Sequence, residues 1–276
     1  MLTVAELDLP RPRGGTLHAY DTGGDGLPVF WHGGTPNTGL PPQPLFAAAE
    51  RLGLRLVGAD RPGYGGTARD PEADVAAVAA DVAAVLDRLG LERCATLGHS
   101  GGGPRALAAA ALLPGRVDPV AIVASPAPPD AEGLDRRAGL ADGLLREHAA
   151  AAEGREALTA LLESDAFDPE QFTADDWSAL QGPWSWFGGV VAGATSAGPG
   201  GQVDDLLAQA RPWGFAVADV RAPVLVVHGG ADRVVPPQHG AWLAAHLPDA
   251  RLQAVAGAGH LSVLEHVDEA LAFLRG

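Results

Sequence analysis

The alternation of short apolar segments with amphipathic segments is the sequence feature that most restricts how this chain can fold. Several apolar runs are apolar on both faces, which is typical of strands buried in a parallel sheet. Between them, apolar residues recur every three or four positions, which favours helices that pack on a sheet. The sequence therefore predicts an α/β fold, a mostly parallel eight-stranded sheet flanked by helices. The predicted strands are residues 2–9, 16–20, 27–31, 54–59, 93–98, 117–124, 224–227 and 251–255.

The clearest helical pattern covers residues 73–89. Val75, Val82 and Leu89 lie on one face of this predicted helix, and Gly90 is the expected C-terminal stop. The 37 Gly and 23 Pro residues lie mainly at the joints between predicted elements, so they indicate turns and not disorder. The remaining predicted helices are residues 42–52, 102–113, 238–247 and 261–274.

Residues 126–215 interrupt the alternation. This segment shows no convincing strand, has helix-prone runs, and contains four of the six tryptophans of the chain. It holds 15 acidic residues and five Arg, so it contributes −10 of the formal net charge of −15. A long insertion between two strands of an α/β core is most simply a helical cap. We therefore predict a core of residues 1–125 and 216–276 and a cap of residues 126–215.

Charge and composition exclude several classes of protein. A chain with a net charge of −15 and no Lys is repelled by phosphate backbones and anionic membranes, so neither nucleic acid nor a membrane is an expected partner. The single Cys94 rules out an internal disulfide framework. The N-terminus lacks a secretory pattern and no apolar stretch is long enough to span a bilayer, so a cytoplasmic location is expected. The histidines show no metal-ligand spacing, and we predict neither a metal nor a cofactor.

The strongest chemical signal is the G-x-S-x-G pattern at residues 98–102. It follows a predicted strand and precedes a predicted helix, which is the setting of a nucleophile elbow. There the serine occupies a tight turn, and the helix N-terminus directs free N–H groups towards a reacting oxyanion. We predict Ser100 as the nucleophile; the alternative is an ordinary serine in a glycine-rich turn.

A serine hydroxyl needs a base, and the base needs an acidic partner to orient it. Asp232 lies in a loop just after the predicted strand at 224–227, and His260 lies just after the strand at 251–255. The carboxyl ends of parallel strands share one edge of a sheet, where α/β proteins place their sites. Ser100, Asp232 and His260 thus form a candidate triad. Considered singly, Asp232 is explained equally well as a turn residue, and His260 is explained equally well as a helix cap.

Two backbone N–H groups are needed to bind the oxyanion. One is predicted to be that of Gly101, directly after the nucleophile. The other is expected in the glycine-rich loop that follows the third strand, where Gly34 is our choice and Thr35 the alternative.

Five motifs together resemble the α/β-hydrolase fold superfamily: HGGTP at 32–36, DRPGYGGT at 60–67, GHSGGGP at 98–104, HGGADRVVP at 228–236 and GAGHLSVLEH at 257–266. The resemblance covers the predicted core and is weak over 126–215. It implies a serine hydrolase in which Ser100 is the nucleophile, Asp232 the acid and His260 the base. By the same analogy, Asp60 and Arg61 are structural and not catalytic.

The function predicted is hydrolysis of an ester or related acyl bond of a small molecule through an acyl-enzyme. A proline iminopeptidase-like aminopeptidase is an alternative, although that family typically has HGGPG, DQRG and GGSWG where this chain has HGGTP, DRPG and GHSGG. A non-hydrolytic acyltransferase or lyase, or a ligand-binding homologue without activity, also remains open.

The substrate is expected to be apolar and neutral or cationic, because the predicted cap is acidic and rich in aromatic residues. Four of these aromatic residues are candidates to line the substrate pocket, the alternative being that they attach the cap to the core: Trp184, Trp186, Phe187 and Trp213.

Overall fold

The computed structural model describes residues 3–164 and 167–276. Its eight strands form one sheet in the order β1-β2-β4-β3-β5-β6-β7-β8. The first two pairings, β1 with β2 and β2 with β4, are antiparallel, and all the others are parallel. The predicted mostly parallel eight-stranded sheet is therefore confirmed. Its strands are β1 (Ala5–Pro10), β2 (Thr16–Asp21), β3 (Leu27–His32), β4 (Leu54–Ala59), β5 (Cys94–His99), β6 (Val117–Val123), β7 (Val224–Gly229) and β8 (Ala250–Val255).

Burial of the strands explains the apolar runs in the sequence. Every residue of β5 and β7 is buried, because helices cover both faces of the central sheet. The edge strand β8 instead has exposed residues along its length. The first predicted strand is shifted: β1 begins at Ala5, and Leu2 lies outside the described residues.

Ten helices are present among the described residues. They are α1 (Phe46–Leu52), α2 (Val78–Leu89), α3 (Gly103–Leu112), α4 (Asp142–Glu153), α5 (Arg155–Glu163), α6 (Ala174–Gln181), α7 (Trp186–Thr195), α8 (Gly200–Ala210), α9 (Gln238–His246) and α10 (Asp268–Arg275).

Two predicted helices are shorter in the structure than in the sequence pattern. The pattern at 73–89 becomes helical only at Val78, although Val75 is fully buried. The residues before α2 form turns in which the Ala77 N–H donates to Asp74 and the Ala76 N–H donates to the Trp213 carbonyl. The apolar residues of this buried turn therefore have the same spacing as those on one face of a helix. Likewise, the pattern at 261–274 divides into a 3-10 turn at Ser262–His266 and then α10.

The segment between β6 and β7 contains the five helices α4 to α8 and, within its described residues, no strand. We call residues 126–215 the insertion. It touches the loops at the carboxyl ends of the strands; for example, the Thr38 N–H donates to the Val190 carbonyl at 3.3 Å. The sheet register brings two of these loops together, because His32 at the end of β3 pairs with Gly98 of β5. Across the described part of the chain, none of the helices has the length and apolar character needed to cross a bilayer.

Candidate active site

Ser100 occupies a strained turn between β5 and α3. Its φ angle is +53°, in the left-handed region that residues with a side chain rarely adopt. The flanking glycines permit this turn. A Cβ on Gly98 would lie 2.7 Å from the Gly102 carbonyl oxygen, and a Cβ on Gly102 would overlap the His32 carbonyl oxygen. Each glycine of the G-x-S-x-G pattern therefore sits where another backbone approaches too closely for a side chain.

The structure brings Ser100, His260 and Asp232 together in one hydrogen-bonded chain. The Ser100 Oγ lies 2.9 Å from the His260 Nε2, and the His260 Nδ1 lies 2.8 Å from the Asp232 Oδ2. An ionised carboxylate only accepts, so the network assigns the proton to Nδ1 and leaves Nε2 free to accept from the serine hydroxyl. In this arrangement His260 can remove the Ser100 proton.

Asp232 is held by its own loop. It is 3% exposed, and its Oδ1 accepts hydrogen bonds from the N–H groups of Val234 and Val235, both at 2.8 Å. The nearby His228 donates its Nε2–H to the Val235 carbonyl oxygen at 2.8 Å, and burial lowers its pKa, which favours the neutral ring. Asp232 therefore has one oxygen fixed by the backbone and the other directed at His260.

His99, which precedes the nucleophile, is packed against the site. Its Nε2 lies 3.2 Å from the His260 carbonyl oxygen, and its ring contacts Phe187. Burial, and then the neighbouring His260, lowers the pKa of His99 to about 3. A ring that stays neutral at physiological pH and bonds a carbonyl oxygen is in a position to support the His260 loop.

The two residues predicted to supply oxyanion donors flank Ser100. A Cβ on Gly34 would lie 3.2 Å from the Ser100 Cβ, and a Cβ on Gly101 would lie 2.5 Å from the Thr35 Oγ1. Gly34, Thr35 and Gly101 all line the same cavity as Ser100. The loop after β3 and the start of α3 thus meet at the nucleophile, as the sequence motifs indicate.

A cavity of about 1130 Å³ extends from Ser100 and His260 into the insertion. Of the four predicted pocket aromatics, Phe187 and Trp213 line it. Trp184 and Trp186 do not: Trp184 is 2% exposed and stacks behind Phe187 at 5.6 Å, and Trp186 meets the edges of both rings. These two tryptophans support the wall of the cavity from behind.

The charge of the cavity wall differs from the charge of the insertion. Three arginines line the cavity (Arg136, Arg137 and Arg211), against two carboxylates (Glu147 and Asp168) among the described residues. Most of the described acidic residues of the insertion are therefore not part of the cavity wall. Within the described residues, the buried Arg136 Nε has no hydrogen-bond partner. Burial raises the pKa of Glu147 to about 7.

Asp176 is a residue of the site that sequence reasoning missed. It lies on α6 of the insertion and is fully buried. Its carboxylate accepts from the N–H groups of His260, Leu261 and Ser262, at 3.2, 2.8 and 2.7 Å. The capping-box spacing of Thr173 and Asp176 marks the start of a helix, but it does not reveal these distant partners.

No group of three or more His, Cys, Asp or Glu side chains that could hold a metal ion is found in residues 3–164 and 167–276.

Comparison with known proteins gives one consistent family. A family model described as the alpha/beta hydrolase fold matches residues 29–267. The chain is 30% identical over 285 residues to 2-hydroxy-6-oxononadienedioate/2-hydroxy-6-oxononatrienedioate hydrolase 2 of Pseudomonas putida, a match that covers 95% of this chain and 89% of that enzyme.

Two further similarities are to esterases. A segment of 57 residues is 42% identical to a pimeloyl-[acyl-carrier protein] methyl ester esterase of Aromatoleum aromaticum; it covers 21% of this chain and 23% of that protein. The solved structure of a thermophilic esterase from Thermogutta terrifontis superposes with a TM-score of 0.71 and 23% identity, over 97% of each chain. At this identity the superposition shows a shared fold.

Proposed function

Because the chain belongs to the α/β-hydrolase fold family and is a hydrolase, we propose that it cleaves an ester or related acyl bond through a covalent acyl-enzyme on Ser100. The observation that carries this proposal is the hydrogen-bonded chain Ser100–His260–Asp232, with distances of 2.9 and 2.8 Å, at the base of a large cavity. This is the geometry required of a nucleophile, its base and the group that orients the base.

In the proposed mechanism, the Ser100 Oγ attacks the acyl carbon while the His260 Nε2 accepts its proton. The buried Asp232 carboxylate stabilises the imidazolium that forms. The N–H groups of Gly34 and Gly101 bind the oxyanion, and the alcohol leaves with the proton from His260. A water molecule, deprotonated by His260, then attacks the acyl-enzyme and releases the acid.

The insertion is proposed to act as a cap that encloses the substrate, so residues 1–125 and 216–276 form the core and 126–215 the cap. Phe187 and Trp213 give the cavity apolar surface near the nucleophile. Helix α6 reaches the His260 loop through Asp176. In this role the cap would exclude water from the cavity. It would also contact the loop that carries His260.

A second candidate is hydrolysis of an acyl substrate that carries a carboxylate. One observation favours it: Arg136 lines the cavity, and its buried Nε has no hydrogen-bond partner among the described residues, so this side chain can donate to an anion. The Pseudomonas putida relative is named for dioate substrates. This candidate reverses the expectation of a neutral or cationic substrate, which was based on the charge of the whole insertion.

A substrate panel tests these alternatives. Initial rates are measured for p-nitrophenyl esters of acetate, butyrate and octanoate, for the mono-p-nitrophenyl ester of glutarate, and for alanine and proline p-nitroanilides. Turnover of the esters, abolished in Ser100→Ala, supports the esterase proposal. A preference for glutarate over butyrate that is lost in Arg136→Ala supports the carboxylate-bearing substrate.

Other outcomes of the panel contradict the proposal. Faster cleavage of an anilide than of every ester would assign an aminopeptidase. Acyl-enzyme formation followed by transfer to an added thiol or amine, and not to water, would assign an acyltransferase. Folded protein that turns over none of the compounds would favour a lyase or a ligand-binding protein.

A further inference from the structure

Asp205 lies at the centre of a buried ion cluster beside the candidate oxyanion hole. It belongs to α8 of the insertion and is 6% exposed. Its Oδ2 lies 2.9 Å from the Arg61 Nη2, and its Oδ1 lies 2.5 Å from the Arg105 Nη2. The Thr35 and Tyr64 hydroxyls also donate to Oδ2, at 2.5 and 3.1 Å. One carboxylate of the insertion thus joins three separate segments of the core.

The two arginines hold the backbone next to Ser100 with their other N–H groups. The Arg61 Nη1 donates to the Gly33 carbonyl oxygen and its Nη2 to the Gly34 carbonyl oxygen, both at 2.6 Å. The Arg105 Nη1 donates to the Gly101 carbonyl oxygen at 2.8 Å. The loop after β3 and the first turn after Ser100 are therefore held by guanidinium groups that Asp205 joins.

Because a peptide group is planar, an arginine that fixes a carbonyl oxygen also fixes the direction of the N–H in the same group. The Gly33 carbonyl and the Gly34 N–H belong to one planar, trans peptide group, so they point in opposite directions. When Arg61 fixes the Gly33 oxygen on one side of the loop, the Gly34 N–H must point to the other side. The same relation links the Gly34 oxygen to the Thr35 N–H. Arg61 therefore orients whichever of the two candidate donors binds the oxyanion.

We propose that Asp205 is a positioning residue for the oxyanion hole: it sets the Arg61 guanidinium, and through it the peptide planes that present the Gly34 and Thr35 N–H groups beside Ser100. Through Arg105 it also anchors the Gly101 carbonyl oxygen in the turn after the nucleophile. This inference rests on the proposed serine-hydrolase function. Asp205 itself is not among the described residues that line the Ser100 cavity, so it acts through its partners and not on the substrate.

The charges of the cluster suit a permanent support. Burial on its own would raise the pKa of Asp205, but the charges of Arg105 and Arg61 lower it to about 2. The neighbouring His32 is kept neutral by burial, which lowers its pKa to about 3 with help from Arg61 and Arg105. Neither Asp205 nor His32 changes charge near neutral pH, so the carboxylate persists across the range in which an ester would be hydrolysed.

Asp204 provides a matched control. It is the preceding residue of α8, is 5% exposed and also pairs with two arginines, Arg69 and Arg155. Neither of those arginines holds the loop after β3 or the turn after Ser100. Asp204→Asn therefore removes a comparable buried carboxylate from the same helix without touching the oxyanion hole.

The test compares an ester with the matching thionoester, in which sulfur replaces the carbonyl oxygen. Attack by Ser100 and proton transfer to His260 are needed for both, but sulfur accepts hydrogen bonds weakly, so oxyanion donors assist mainly the ester. We expect Asp205→Asn to lower the ester-to-thionoester ratio of kcat/KM by about 10-fold, less than the 10²–10³ that removal of a donor produces. The ratio should stay within about 2-fold in Asp204→Asn.

Arg61→Lys is the second variant, for use if Asp205→Asn does not fold. It keeps a positive charge beside Asp205 but loses the planar fork that reaches two carbonyl oxygens, so the ratio should fall in the same way. An unchanged ratio in folded Asp205→Asn and Arg61→Lys, or an equal fall in Asp204→Asn, overturns the inference and leaves the hydrolase proposal intact. A wild-type protein that neither hydrolyses the ester nor reacts with a fluorophosphonate contradicts the proposed function itself, and the inference with it.

Discussion

The core and the insertion contribute to the site in different ways. The core places Ser100, Asp232 and His260 in the loops that follow β5, β7 and β8, so the position of each candidate reacting group is set by the end of a neighbouring strand. The insertion supplies walls of the cavity and two buried carboxylates whose partners are distant in sequence. Asp176 bonds Leu261, 85 residues away, and Asp205 bonds Arg61, 144 residues away.

This difference shows how an inserted segment can support a site whose reacting groups all come from the core. A strand end fixes the direction of a residue locally, whereas a carboxylate from a helix can hold a loop only where the whole insertion docks correctly. We therefore expect changes in the core to act on the reaction itself. Changes in the insertion should act on stability and on the placement of core loops.

The largest expected effect belongs to the core. Ser100→Ala removes the nucleophile and should lower kcat for ester hydrolysis by at least about 10⁴-fold, because the remaining groups cannot form an acyl-enzyme. Steady-state kinetics with p-nitrophenyl butyrate measure this loss. The control is Ser125→Ala, since the Ser125 hydroxyl donates to the Val123 carbonyl at 3.0 Å and should leave kcat within about 3-fold. Comparable losses in both variants would mean that Ser100 has no special role.

An intermediate effect is expected from Asp176→Asn in the insertion. The amide has one acceptor oxygen and places an NH₂ group against backbone N–H donors, so we expect a loss of about 2–4 kcal/mol in the free energy of unfolding at pH 7. Displacement of the His260 loop should also lower kcat by about 10-fold. Urea unfolding and steady-state kinetics measure the two effects, with the exposed neighbour Asp175→Asn as the control.

The pH dependence of this variant has a defined sign. Burial alone would raise the pKa of Asp176, but the N–H groups of Ser262, Thr173 and Leu261 lower it below its ordinary value of 3.8. The carboxylate therefore contributes stability above pH 3.8, and this contribution is lost as the pH falls through its lower folded-state pKa. The stability difference between wild type and Asp176→Asn should be full at pH 7 and shrink in strong acid. A difference that does not depend on pH would show that the carboxylate charge is not responsible.

The smallest effect is expected at the cavity wall, from Glu147→Gln. Glu147 has a pKa of about 7 in the folded protein against an ordinary value of 4.5, so the unfolded chain releases this proton first as the pH rises. Wild type therefore loses stability as the pH rises from 4.5 to above 7, and the variant does not. The Tm of Glu147→Gln relative to wild type should increase from pH 5 to pH 8, by about 2–4 °C for each kcal/mol.

Glu153→Gln, at the exposed end of the same helix, is the control for this measurement. A Tm difference for Glu147→Gln that is constant with pH would show that the burial of Glu147 in the cavity wall does not perturb its ionisation.

The features that could be predicted from the sequence lie mainly in the core, and those that could not lie mainly in the insertion. The strand pattern and the order of the motifs predicted the sheet, and they named the three residues that the structure places in one hydrogen-bonded chain. These features are local, because a buried strand and the turn after it consist of consecutive residues. The start of α2 was predicted too early, since the buried turn that contains Val75 has the spacing of a helix face.

The contributions of the insertion were less predictable. Its acidic composition suggested a wall that repels anions, yet the cavity is lined by Arg136, Arg137 and Arg211. Nothing in the local sequence shows which face of a helix turns inward once several helices pack together. For the same reason, Asp176 and Asp205 read as ordinary helix residues until their partners across the interface are known.

Covalent labelling by a fluorophosphonate tests most directly whether Ser100 is the nucleophile of a serine hydrolase. Trypsin cuts after Arg93 and Arg105, and the peptide of residues 94–105 contains Ser100 as its only serine. Mass spectrometry of this peptide should show stoichiometric addition of the phosphonyl group in wild type and none in Ser100→Ala. Folded wild-type protein whose peptide stays unmodified, or a Ser100→Ala protein labelled at the same rate, would contradict the assignment.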